Sequence, residues 1–150
     1  MNKLLAGFMF ILFGVHSALA DVVTKCDSIQ GHSYYVAGPL VEKDAAGWKK
    51  DGISSGSYLV IREANENYDI VFTDSLNRTK SSREDGGEVS VVSKSDSHLV
   101  LIVDYPSMNV ETYYFRLNQK GRGELTVSQA RYGEEARINK HSLMRATCSK

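Results

Sequence analysis

From residue 57 to the end of the chain, apolar and polar side chains alternate in short runs rich in β-branched and aromatic residues. A period of two sends successive side chains to opposite faces of an extended chain, so the pattern predicts strands buried on one face. It predicts them over 57–63, 68–73, 79–82, 88–94, 97–105, 110–117, 124–131 and 138–148, with a first strand over 31–37 closed by Gly38-Pro39. In 68–73, Tyr68, Ile70 and Phe72 share one face, and Asp69, Val71 and Thr73 the other. Segments 64–67, 74–78 and Asp85-Gly86-Gly87 read as turns. A longer connection over 40–55 holds the only tryptophan, Trp48. Within it, 41–50 has room for a short helical turn, limited by Gly47 and Asp51-Gly52.

About eight short strands joined by tight turns predict an all-β domain: a single antiparallel meander closed into a small barrel, with a β-sandwich as the alternative. Closure removes the exposed edges that an open sheet must otherwise protect. The only two cysteines, Cys26 and Cys148, bracket the strands. A disulfide requires Cα atoms within about 7 Å. A Cys26–Cys148 bridge therefore lays the start of the domain beside the end of its last strand, as it would if first and last strands pair. Strand 97–105 is apolar on both faces, with Val100 and Ile102 opposite Leu99, Leu101 and Val103. That predicts an outer cover, supplied by the Trp48 connection.

The first twenty residues read as an export signal: Lys3, an uncharged and mostly apolar run over 4–15, and Ala18-Leu19-Ala20 before Asp21. The run reaches only about 18 Å as a helix, short of a ~30 Å hydrocarbon core. Cleavage after Ala20 leaves a single domain over 21–150, in a periplasmic or secreted location where one cysteine pair forms a structural disulfide. Without Lys3 the domain carries 17 basic and 18 acidic residues. That balance, with no basic run, excludes nucleic acid as the expected partner and gives no attraction to an anionic membrane surface. No second apolar stretch has membrane length, and a monomer is expected.

Local motifs point to no catalytic or metal site. Gly52-Ile53-Ser54-Ser55-Gly56 has the Gly-x-Ser-x-Gly spacing of a nucleophile elbow but precedes a strand rather than a helix, so it reads as a turn. His32, His98 and His141 share no metal-ligand spacing, although pairing of first and last strands would bring His32 and His141 near one another. The aspartates form no calcium loop. No cofactor is implied. Tyrosine is the enriched residue, with eight in the chain, including Tyr34-Tyr35 and Tyr113-Tyr114, each of which sends one ring to each face.

Gly31-x-x-Tyr34-Tyr35 in the first strand, a long first connection, a meander and Arg145 late in the last strand resemble the calycin, or lipocalin-like, architecture. Ser33 stands where lipocalins carry tryptophan, and the chain ends two residues after Cys148, where a lipocalin continues into a helix. Cys26, Gly47-Trp48, Asp51-Gly52-Ile53, Tyr68-Asp69-Ile70, Glu111-Thr112-Tyr113 and segment 140–148 also resemble small exported bacterial proteins to which no activity is attached. The resemblance implies the barrel but no ligand contacts.

The expected function is non-enzymatic binding of a small amphipathic or apolar molecule, lined by Tyr34, Leu59, Ile70, Leu101 and Tyr114 under a Trp48 lid, since small barrels can hold one such ligand. The alternative is a module that binds an envelope protein, such as an inhibitor of an extracytoplasmic hydrolase, through Trp48, Lys49, Lys50 and Asp51. An enzyme using His32 and His141 is a third reading.

Overall fold

Alternation carries through almost the whole folded chain. The computed structural model describes residues 20–74, 76–133 and 135–150, and every regular element among them is a strand. These are β1 (Asp21–Tyr35), β2 (Gly47–Gly52), β3 (Ser57–Arg62), β4 (Tyr68–Thr73), β5 (Thr79–Ser81), β6 (Glu88–Lys94), β7 (His98–Tyr105), β8 (Asn109–Leu117), β9 (Gly123–Arg131) and β10 (Lys140–Ser149). The expected export signal lies outside the described residues except for Ala20, which is exposed. Among the described residues no helix is long and apolar enough to cross a membrane.

All ten strands join one sheet, in the order β5-β4-β3-β1-β10-β9-β8-β7-β6, with β2 attached to β1 alone. All pairs are antiparallel, and the sheet curls into a half-barrel around one apolar core. The first and last strands pair as expected. Cys26 and Cys148 face each other in that ladder, with Cα atoms 4.0 Å apart, and their disulfide lies in the core. The backbone ladder stops between β5 and β6 among the described residues. There β5 is only three residues long and the chain turns back through Ser82–Gly87 before β6 begins.

Two differences from the sequence reading have local causes. β1 begins ten residues before the expected 31–37 because a bulge hides its alternation. Ser28 adopts φ 61°, and the β1–β10 register shifts between Asp27 and Gln30. One extra residue then keeps Thr24 and Cys26 on the same face as Ile29 and Ser33. The second difference replaces the helical turn expected in 41–50. Gly47, at φ 104°, starts β2, which pairs with the second half of β1. Consequently Trp48 lies on the outer face beside Tyr34 and does not cover β7. The outer side of Val100 is flanked by Tyr114, its partner on β8.

Candidate functional site

The residues that face inward change character along the strands. At one end they are apolar: Cys26 and Ile29 on β1, Met144, Ala146 and Cys148 on β10, Leu125 and Val127 on β9, and Tyr113 and Phe115 on β8. Toward the other end the same faces carry Ser33 and Tyr35, Ser142 and Lys140, Gln129 and Arg131, and Glu111 and Asn109. The half-barrel therefore has an apolar floor and a polar mouth.

One half of the mouth centres on Asp51. Its Oδ2 accepts hydrogen bonds from Ser33 Oγ at 2.6 Å, Tyr35 OH at 3.0 Å and Lys140 Nζ at 2.8 Å, and its Oδ1 accepts from the Gly52 N–H at 2.8 Å. Ser33 spends its one proton on Asp51, so in the 2.7 Å contact between Ser33 and Ser142 the Ser142 hydroxyl donates. Burial alone would raise the Asp51 pKa. The hydrogen bonds from Lys140 and Ser33, the Lys140 charge and the Gly52 N–H outweigh it and hold the carboxyl at about 2. Burial and the contact with Asp51 raise Tyr35, while the Arg131 charge works the other way. Arg131 is thus felt by both halves.

The other half centres on Glu111. Its Oε1 accepts from Asn109 Nδ2 at 2.7 Å and Gln129 Nε2 at 2.6 Å, and its Oε2 accepts from the Tyr113 hydroxyl. Tyr113 stands edge to face with Tyr58, ring centroids 5.3 Å apart. Burial, then the Glu111 charge, pushes the phenols of Tyr58 and Tyr113 above their usual range, and burial takes Tyr105 to about 12. These rings stay neutral hydrogen-bond donors.

A cleft of about 200 Å³ opens at this half. Tyr58, Phe72, Ile53 and Met108 supply apolar wall, and Asn109, Glu111, Gln129 and Arg131 supply polar groups. Rim carboxylates Asp74 and Asp85 are already paired with Arg78 and Lys80, at 2.6 and 2.7 Å. Asn109 Oδ1 and Arg131 Nε are buried with no hydrogen-bond partner among the described residues. They belong to directly paired residues of β8 and β9. The Asn109 amide cannot simply turn over, because its NH₂ is held by Glu111 and its oxygen would then face a carboxylate.

The lining expected from sequence is divided between the two faces. Tyr34, Leu59 and Tyr114 point outward with Trp48, whereas Ile70 and Leu101 point inward but are fully buried in the packed floor. Trp48 is 67 % exposed and forms no lid over the cleft. The inward rings are the neighbours: Tyr35, Tyr58 and Tyr113. The exposed cluster expected at 48–51 also divides, since Trp48 and Lys50 face out and Asp51 faces Lys140. His32 and His141 sit on adjacent strands of the outer face, opposite Leu143 and Tyr34 respectively. Among the described residues, no group of three or more His, Cys, Asp or Glu side chains is placed to hold a metal ion. The Gly52–Gly56 motif covers the last residue of β2 and the turn into β3, closed by a 3.1 Å hydrogen bond from Gly56 N–H to Ile53 C=O.

Asn109, Gln129 and Arg131 escaped the sequence reading, and Glu111 entered it only within Glu111-Thr112-Tyr113, with no role attached. Their signal is present: in Asn-x-Glu-x-Tyr-x-Phe and Leu-x-Val-x-Gln-x-Arg, same-face positions switch between apolar and polar along one strand. Comparison of the chain with family models, curated proteins and solved structures finds no match.

Proposed function

We propose that this is an exported binding protein that holds one small amphipathic molecule in the polar mouth of a calycin-like half-barrel. The observation that carries this reading is the pair of unpartnered atoms, Asn109 Oδ1 and Arg131 Nε, on residues that face each other across β8 and β9. One is an acceptor and the other a donor, both buried and bare, on neighbouring positions of an apolar-walled cleft. Leaving such a group unpaired costs on the order of 1–3 kcal/mol. A ligand that satisfies both recovers that cost, which is a reason for a folded protein to keep them.

The cleft limits what fits. A cavity of ~150 Å³ accommodates benzene, so about 200 Å³ suits a single ring with a small polar end. That end must donate to Asn109 and accept from Arg131, as a hydroxyl or a carboxamide does. Glu111 and Arg131 bring opposite charges to the same cleft, favouring a neutral or zwitterionic ligand over an ion. Work in the periplasm or outside the cell accords with the leader-like residues 1–20 and with the Cys26–Cys148 bridge, which oxidising compartments preserve.

Native mass spectrometry of the protein recovered from a bacterial periplasm tests this reading, with its denatured mass as reference. The expected result is an adduct of single-ring size in the native spectrum, absent on denaturation and lost in Arg131→Met. Identical adducts on wild type and variant would refute the assignment of the mouth. A bare native mass that persists after incubation with small aromatic amides and phenols would refute binding itself.

A further inference from the structure

A second feature lies on the outside of the sheet, away from the mouth. β2 and β10 flank the second half of β1, and their registers align side chains in rows across the three strands. Trp48, Tyr34 and His141 form one row, and Lys50, His32 and Leu143 the next, with Gln30 and Arg145 continuing beyond. Trp48, Tyr34 and Leu143 are 67, 40 and 56 % exposed. The two rings meet edge to face, 5.6 Å apart. A cleft of about 610 Å³ opens on this face, lined in part by Lys50, His32, Leu143 and Arg145. The carboxylate lining it, Asp51, is neutralised by Lys140 at 2.8 Å. The rows themselves contain no acidic residue, and Glu124, 3.9 Å from Arg145, lies at their margin.

Scattered exposed apolar residues are ordinary. A tryptophan set edge to face against a tyrosine within a basic patch is a different arrangement. Trp, Tyr and Arg concentrate the binding energy of protein interfaces, and the sign of the surrounding charge selects the partner. We infer that the outer face of β2, β1 and β10 docks an acidic protein surface, with Trp48 as the anchoring side chain and Lys50 and Arg145 as its charge partners. The formal net charge of the chain is zero, so attraction to an anionic group comes from this patch at short range and not from the molecule as a whole. A patch this compact matches clustered carboxylates on a protein, with an apolar contact for Trp48, better than the extended charge of a polysaccharide or a membrane. A basic partner is the wrong sign for this face.

Trp48 is the only tryptophan, so its emission reports on this face alone. The experiment titrates the purified protein with poly-L-glutamate, heparin and vesicles of anionic phospholipid at low salt. The expected result is a saturable change in Trp48 emission with poly-L-glutamate, at least tenfold weaker in Lys50→Glu/Arg145→Glu. A Lys120→Glu/Arg122→Glu control on the β8–β9 turn should leave it unchanged. Both altered residues of the test variant are exposed and point away from the core, and circular dichroism verifies that the fold persists. Absence of saturable binding to poly-L-glutamate would overturn the proposal, as would equal binding by both variants. Tighter binding to heparin or vesicles would overturn the assignment to a protein partner.

Discussion

Arg83 reaches Tyr68 across the gap in the half-barrel: its Nη2 donates to the Tyr68 carbonyl on β4 and to the Val89 carbonyl on β6, each at 3.2 Å. Neither carbonyl belongs to a ladder between these strands, so one guanidinium stands in for backbone pairing where the sheet is open. Lys94 adds a looser contact nearby, 3.3 Å from Glu66 and over the Tyr68 ring at 5.3 Å. Unpaired strand edges invite association with other chains, and a side-chain strut blunts two of them at once. Arg83→Ala should therefore cost about 1 kcal/mol in a urea melt. It should also speed hydrogen exchange in β6 more than in β8. Equal acceleration in both strands would mean that Arg83 supports global stability and not this seam.

The Asp51 network predicts a specific acid transition. Its carboxyl is held at about 2, against 3.8 for the free group. A depressed pKa stabilises the fold above the unfolded value, and this contribution is lost as pH falls through the folded one. Between about pH 4 and about pH 2 the wild type should lose roughly 2 kcal/mol that Asp51→Asn, already weaker at neutral pH, does not lose. Parallel stability curves for the two proteins over that window would show that the network carries no such linkage.

At the alkaline end the sign reverses. Burial keeps the phenols of Tyr58, Tyr105 and Tyr113 neutral well above their ordinary range. Raised values add stability that is complete below the unfolded pKa of about 10 and fades as pH climbs toward the folded values. A spectrophotometric titration of tyrosinate should leave at least these three of the eight tyrosines un-ionised until the fold is lost. Ionisation of all eight in one step, with the circular dichroism intact, would contradict the packing described.

The Cys26–Cys148 bridge closes a loop with a sequence separation of 122, among the longest the chain permits. Constraint of so long an unfolded loop is worth about 2–5 kcal/mol in practice. Replacement of both residues by alanine should lower Tm by roughly ten degrees without changing the strand content. The direct check compares melts of oxidised and reduced wild type with that of the variant. A variant as stable as the oxidised protein would remove the disulfide from the account.

Much of the sheet was legible in the sequence because one-sided burial forces strict alternation. Strands β3, β4 and β6–β9 start within a residue of their expected positions, and β10 within two. β2 was not legible. Gly-Trp-Lys-Lys-Asp-Gly has no apolar face, since one side meets solvent and the other meets the polar mouth. The bulge at Ser28 likewise concealed the first half of β1. The pairing of Cys26 with Cys148 was legible, but nothing in the short β5 run marked the gap that Arg83 spans. The inward-facing tyrosines were misread by parity alone. Each tyrosine pair sends one ring inward, yet periodicity cannot say which, and in both pairs the inward ring is the other member. The polar mouth is assembled from β1 and β2 near the start of the chain and β8, β9 and β10 near its end, so only the switch in character along each strand announces it.

The central claim concerns the mouth, and the most direct test is an amide-resolved NMR titration of the protein with a set of single-ring phenols and carboxamides. The account predicts that at least one of them shifts the amide signals of Asn109, Glu111 and Arg131, and that Arg131→Met abolishes the response. Shifts confined to the outer face around Tyr34 and Trp48, or responses unchanged in Arg131→Met, would contradict it.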